Sequence, residues 1–330
     1  MKIFLKISLL IVVLVFLGLF VRATDWSGVI ASIQQVGFNF LILLVTTFAS
    51  AWLGSLGWHY CLPKDGVQIS GWRLFWIRMV GENVAILNPT SIVGGEATKI
   101  YLLTNHGISQ RSALHSILLS RAITILSQLL MLSVAGVWFV SLSVEDYTPY
   151  SHYGWWLVAV IGMMAVLLAL PSIRVFRNLL RLIFHHLRIL HQLLKARLFL
   201  LELWQELRMF YRDNRRGMFL SFLACSLHWV VGSLEFYFIL LFLGIKTTIA
   251  KALLVDMGVI VFKTIGGFIP AQIGIEEYGN KTMLAIIGIT GNTIWITASI
   301  LRRARQLSWI ILGFLMYFIY FYRRPTPPQL

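Results

Sequence analysis

The chain has 330 residues, 58% of them hydrophobic and 12% charged, against about 45–50% and about 25% in soluble globular proteins. With a mean hydropathy of +0.79 it has too few polar side chains to clothe two soluble domains in water, and its solvent must be lipid. Two cysteines, Cys61 and Cys225, are too few for a disulfide framework. The net charge of +15, from 28 Lys+Arg and 13 Asp+Glu, suits either nucleic acid or basic loops against anionic lipid. The second reading accounts for most of it.

A bilayer core of roughly 30 Å takes about 20 apolar residues per helix. Taken in chain order, the spans predicted on that measure are 3–21, 40–60, 117–142, 155–170, 218–243 and 299–322. The first follows Lys2 and Lys6, but it is long for a signal sequence and Val21-Arg22-Ala23 is a poor cleavage site, so it reads as a retained anchor. Two further apolar stretches are broken. One, 73–103, is interrupted by Asn88-Pro89 and Gly94-Gly95; the other, 252–288, by Gly266-Gly267, Pro270 and Gly274. Their halves are short for spans, and proline disfavours helix at the residue before it. Both fit re-entrant helix hairpins.

The segment 172–217 carries ten basic residues, among them Arg174, Arg181, Arg188, Arg212 and Arg216, against Glu202, Glu206 and Asp213. It therefore reads as cytoplasmic. Counting spans outwards puts both termini inside and Glu145 and Asp146 outside. Phe176, Leu180, Ile183, Leu187, Leu190 and Leu194 recur at helical spacing with arginines on another face. That is an interfacial amphipathic helix; its apolar face is too broad for a DNA-binding helix left in water.

The broken stretches resemble each other. Pro89 and Pro270 are each followed seven residues later by Glu, at Glu96 and Glu277, with glycine between. Ser120-Arg121-Ala122 matches Arg302-Arg303-Ala304, and Ser127 matches Ser308. The offset is 181 at the prolines and 182 at Arg121 and Arg303, which one inserted residue reconciles. The spans starting near 117, 155 and 218 separate the copies, and an odd number inverts the second. Inverted repeats with discontinuous helices recur in transporters, with substrate near the midplane at the repeat interface.

Eight basic residues fall outside the loops: Arg78, Lys99, Arg121, Lys263, Lys281, Arg302, Arg303 and Arg305. Six acids lie in apolar segments: Glu82, Glu96, Glu235, Asp256, Glu276 and Glu277. A charge at a helix centre costs roughly 2.5–3.5 kcal/mol on insertion scales, so the set is expected to face a polar interior. Arg78, Lys281 and Arg305 also fit snorkelling positions near the interface, and Glu235 and Asp256 fit structural counter-ions. Arg121 and Arg303 are equivalent in the two copies, as are Glu96 and Glu277. Glu82 and Lys263 are equivalent with opposite signs and invite pairing across the pseudo-twofold axis. Arginine and helix N-termini suit an anionic, phosphate-like head. The candidate substrate-binding set is Arg121, Arg303, Arg302, Lys99, Lys263, Glu82, Glu96, Asp256, Glu276 and Glu277. The expected geometry is two hairpins meeting near the midplane around one polar cavity.

At Asn88-Pro89, Gly94-Gly95-Glu96, Tyr101-Leu102-Leu103 and Ser120-Arg121, and again at Ile269-Pro270, Gly274, Glu276, Glu277 and Leu301-Arg302-Arg303, the sequence resembles the transmembrane, flippase-like domain of the lysylphosphatidylglycerol synthase family. The second hairpin departs from that family's Pro-x-Pro-Gly-Gly-Leu-Gly type of turn, so fine substrate specificity does not carry over. The resemblance implies lipid translocation or a supporting role in lipid or envelope-glycan synthesis. Full synthases of this kind add a soluble aminoacyltransferase domain; a chain ending at Leu330 is not expected to make lysyl-lipid alone.

The expectation is thus an all-α, polytopic membrane protein forming one transmembrane domain over 1–330, with an inverted repeat (about 73–142 and 252–322), two re-entrant hairpins and the linker 172–217. Its expected place is the plasma membrane and its expected role the movement or binding of an anionic lipid. The alternative is a membrane-embedded transferase or accessory subunit, and a scaffold whose charges are plain ion pairs is a third reading. Enzyme motifs such as Gly-x-Ser-x-Gly, a Walker loop or His-Glu-x-x-His are not found. No cofactor, metal or nucleic-acid partner is called for. A membrane lipid is the expected partner, with a second copy of the chain or a separate synthase as further ones.

Overall fold

A computed structural model describes residues 26–63, 69–87, 92–143, 205, 207–265, 272 and 274–319. The described residues are helical, in the order α1 (Trp26–Val36), a 3-10 turn, α2 (Phe40–His59), α3 (Gly71–Leu87), α4 (Ile92–Thr104), α5 (Gln110–Ser143), α6 (Arg215–Phe242), α7 (Ile249–Ile265), α8 (Ile275–Ile286) and α9 (Asn292–Tyr317). Three stretches are long and apolar enough to cross a membrane: Gln34–His59, Gln110–Trp138 and Arg215–Phe242. The protein is an all-α, polytopic membrane protein. At 1.5 Å per residue, α9 is about as long as the bilayer is thick. Three arginines, Arg302, Arg303 and Arg305, lie in the middle of its sequence.

Lipid offers helices no hydrophobic reason to associate, so close approach of small side chains has to do the work. The α2–α6 contact shows this. Small residues are prominent among the buried positions of both helices: Ser50, Ala51, Gly54, Ser55 and Gly57 on α2 and Ser221, Ala224, Cys225 and Ser233 on α6, beside larger ones such as Leu43, Trp58, Phe236 and Ile239. The His228 ring lies 2.8 Å from the Ser50 hydroxyl, the Ser221 hydroxyl donates to the Gly57 carbonyl at 2.8 Å, and Cys61 Sγ lies 3.3 Å from Ser221 Oγ. These pairs run antiparallel, with higher numbers on α2 meeting lower ones on α6.

Around that pair, α3 packs on α2, α4 and α9, while α7 packs on α6, α8 and α5; α4 packs on α5 as α8 packs on α9. Exchanging α2–α5 with α6–α9 thus reproduces most of the packing scheme. One core holds Leu74, Ile77, Leu102, Leu103, Ile117 and Ile123; another holds Phe236, Ile239, Leu240, Leu254, Leu284 and Leu301. An aromatic cluster of Phe48, Trp52, Phe75, Trp76 and Trp309 joins α2, α3 and α9. One polar link crosses from α3 to α9: the Asn83 amide donates to the Trp309 carbonyl at 3.2 Å and the Ile310 carbonyl at 3.4 Å. It fits because Gly313 has no Cβ; one built there collides with the Asn83 amide.

Helix ends follow local chemistry. The Asn214 side chain caps α6 by accepting from the Gly217 amide at 3.1 Å. Gly244 and Gly288, with φ of +77° and +89°, end α6 and α8 in the left-handed turn that only glycine enters freely. Gly274 (φ +83°) opens α8, and the Glu277 carboxylate accepts its amide at 2.8 Å.

Several expectations need correction. Gly94 and Gly95 do not break the chain; both lie in the first turns of α4, where Gly95 lets the α4 backbone approach Gly81 of α3. The long helices start earlier than hydropathy predicts, α5 at Gln110 rather than 117 and α9 at Asn292 rather than 299. Helix α1 was not predicted at all; its serines and glutamines hide its apolar pattern. The predicted spans 3–21 and 155–170, the breaks at Asn88, Pro89, Gly266, Gly267 and Pro270, and most of the linker 172–217 lie outside the described residues. At the linker's end Arg208, Arg212, Arg215 and Arg216 are exposed.

Candidate functional site

The charged residues gather in two groups, and no ion pair joins the two among the described residues. The first is built by α3, α4 and α5. Arg78 Nε donates to Glu82 Oε1 at 2.6 Å, one turn along α3. On α4, the Lys99 ammonium is 3.4 Å from Glu96 Oε1 and 5.8 Å from the centre of the Trp58 ring. From α5, Arg121 Nε donates to the same Glu96 oxygen at 2.6 Å. The second Glu96 oxygen is buried without a hydrogen-bond partner.

Glycines make this assembly fit. A Cβ at Gly54 of α2 would run into the Arg78 guanidinium, and one at Gly81 of α3 would meet the Lys99 stem at 2.5 Å. Three cations and two carboxylates leave the group one positive charge in excess. Its members line a small cleft together with Trp58, Ser120 and Thr124. The free space is about 30 Å³, room for one or two waters and no more.

The second group is built by α6, α7, α8 and α9, and Arg302 is its hub. Its guanidinium lies 3.2 Å from Asp256 Oδ1, 3.3 Å from Glu276 Oε1 and 3.7 Å from Glu235 Oε2. It donates to Asn280 Oδ1 at 3.5 Å and sits 4.3 Å from the centre of the Phe236 ring. Lys263 is 3.4 Å from Glu276, Arg303 Nε donates to Glu277 Oε1 at 2.9 Å, and Arg305 pairs with Glu235. Four cations meet four carboxylates here, so the group is neutral.

Each half thus pairs its own arginine and glutamate, Arg121 with Glu96 and Arg303 with Glu277. The contact imagined between Glu82 and Lys263 is not made: Glu82 bonds to Arg78 and Lys263 to Glu276, the nearer partner in each half. Among the described residues, the cleft lined by Glu82, Glu96, Lys99 and Arg121 takes in no residue of the second group. Arg78 and Arg305 are not snorkelling residues; both side chains are largely buried, at 13% and 16% exposure. The candidate substrate-binding set left out Arg78, Ser120, Thr124 and Trp58, which line the cleft. The four-residue spacing of Arg78 and Glu82 was the available signal; nothing local marked Trp58. Lys281 faces Trp295, its ammonium 5.5 Å from the ring centre, apart from both groups.

A separate apolar groove of about 600 Å³ lies between α2 and α9, lined by Leu44, Val45 and Phe48 on one side and Trp309, Ile311, Leu312 and Leu315 on the other. It occupies the position that the packing of α5 on α6 fills in the other half.

Residues 3–314 match the family described as the lysylphosphatidylglycerol synthase TM region. The chain belongs to this family. Comparison with curated proteins and with solved structures gives no significant match. Membership of the lysylphosphatidylglycerol synthase TM family connects these helices with membrane lipid. Within that family frame, the buried charge of this chain is divided between an open, positive group and a closed, neutral one.

Proposed function

We propose that the protein moves an anionic phospholipid between the leaflets of the plasma membrane, with both termini in the cytoplasm. The observation that carries the reading is the paired charge groups on two sets of helices whose sequences repeat. Arg121–Glu96 and Arg303–Glu277 occupy equivalent positions, and charges kept at that cost inside apolar helices serve a polar cargo better than they serve stability. The antiparallel α2–α6 pairs and the exchange of helix partners support an inverted repeat. The packing of the short pairs α3–α4 and α7–α8 supports two re-entrant hairpins. A groove open sideways between α2 and α9 leaves acyl chains in the bilayer while the head travels through protein.

The test is headgroup accessibility in proteoliposomes. Purified protein is expected to speed the loss of dithionite-protected fluorescence from labelled phosphatidylglycerol. Unchanged rates with several anionic lipids, with and without a proton gradient, would overturn the proposal. A membrane-embedded transferase or accessory role predicts instead a changed lipid or glycan composition on deletion, which lipidomics reads directly.

A further inference from the structure

The two halves differ where they ought to match. With the offset of 181 before the inserted residue and 182 after it, Arg121 falls on Arg303 and Glu96 on Glu277. Their neighbours change character. Ser120 falls on Arg302, Lys99 on Asn280, Gly95 on Glu276 and Gly54 on Glu235. The second half thus places a guanidinium among three carboxylates, with an aromatic ring beside it. At the equivalent place the first half has the short Ser120, a cleft, and cations around it. One half is filled by a side chain of its own and neutral; the other is open and carries one positive charge in excess.

We infer that the cleft beside Ser120 is the headgroup site of this chain, one per molecule, and that it takes a phosphodiester. Arg302 permanently fills the corresponding place in the second half. The assignment rests on the lipid-moving role proposed above and adds which half binds and how. The cleft as it stands is too small for a phosphate group, so entry needs a side chain to leave. Arg121 is the one placed to do so. Its side chain is 41% exposed, whereas Arg303 in the matching pair is 10% exposed. On binding, Arg121 turns from Glu96 to the phosphate, and Lys99 takes over Glu96, to which it is already adjacent at 3.4 Å. Arg78 remains fixed, its guanidinium seated over Gly54 and bonded to Glu82. The anion thereby meets two cations without leaving a buried carboxylate bare.

The test uses the full chain in phosphatidylcholine nanodiscs, titrated with short-chain phosphatidylglycerol and read by native mass spectrometry. Wild type is expected to take up one phosphatidylglycerol per chain. Ser120→Leu, which fills the cleft, and Arg121→Gln, which removes the exposed ligand without repacking the core, are each expected to weaken uptake at least tenfold. Monodisperse elution and an unchanged melting temperature establish that each variant is folded, and Arg121→Gln carries the test alone if Ser120→Leu is not. Two sites per chain overturn the inference, as does wild-type uptake by the folded variants. Soluble glycerol 3-phosphate is the free-anion arm: competition at equal molar potency assigns the cleft to a soluble phosphate ester and overturns the lipid assignment. Transport is scored separately. Protein that binds one lipid but moves none keeps the site and loses the role; protein that moves lipid regardless of Ser120→Leu keeps the role and loses the site.

Discussion

Arg302, aligned with Ser120, and Arg121, aligned with Arg303, are one register position apart but answer to different physics. Arg302 is 6% exposed among carboxylates of Glu235, Asp256 and Glu276. Removing one partner of a buried ion network leaves bare charge behind, at a cost of about 3–5 kcal/mol. Arg302→Met is therefore expected to lower stability by that order, read as a fall in melting temperature in detergent. Arg121→Met frees only Glu96, which keeps Lys99, and loses about 1 kcal/mol or less through its exposed pair; its effect belongs in transport. Gly54→Ala is the subtler case. The added methyl displaces the Arg78 guanidinium, so the expected outcome is a folded protein with reduced lipid movement in the dithionite assay. Of these residues the sequence singled out Arg121, Arg302 and Arg303 by repeat alignment. Arg78 escaped it because a single arginine early in a broken stretch looks the same whether it snorkels or turns inwards. Only the missing Cβ of Gly54, on another helix, decides between the two.

Among the helices, the α2–α6 pair combines small residues and short hydrogen bonds with a shared apolar core of Phe40, Leu43, Phe236, Ile239 and Leu240. Gly57 faces Cys225, whose sulfur a Cβ there would meet at 2.7 Å. Gly57→Leu forces the helices apart, with an expected loss of about 1–3 kcal/mol in thermal unfolding. Hydropathy alone found α2, α5 and α6, because long apolar runs with at most one charge have one explanation in a chain of this composition. It misjudged the ends. Gln110 and Asn292 begin helices that rise through polar turns before reaching apolar sequence, and periodicity rewards only the apolar part. It also took Gly94-Gly95 for a break, since glycine is a poor helix former. Here glycine is spent on proximity, letting α3 and α4 touch at Gly81, a need no local rule detects.

Across the whole molecule, the asymmetry of charge matters as much as the symmetry of helices. The exposed Arg208, Arg212, Arg215 and Arg216 precede and open α6. If they face the cytoplasm with both termini, reporter fusions at residues 1 and 330 should show cytoplasmic activity, and a cysteine at Asp146 should react with impermeant maleimide from outside. The reverse pattern would overturn the proposed cytoplasmic placement of both termini. The helical, multi-span membrane character was legible from sequence, with apolar runs at α2, α5 and α6. That the buried charges of the described residues pair off in two groups was not, because a sequence alignment says nothing about which residues meet.

The Asn83 amide on α3 grips main-chain carbonyls of Trp309 and Ile310 on α9, and this has a consequence for motion. If the proposed lipid movement rocks one half against the other, it strains that grip, which would then act as a latch. Because the acceptors are backbone atoms, no side-chain replacement at Trp309 or Ile310 deletes them. The latch can be undone only from Asn83 itself or by filling the space over Gly313. Evolution or engineering can thus tune how readily the halves part at two positions, leaving every charge that handles the lipid untouched.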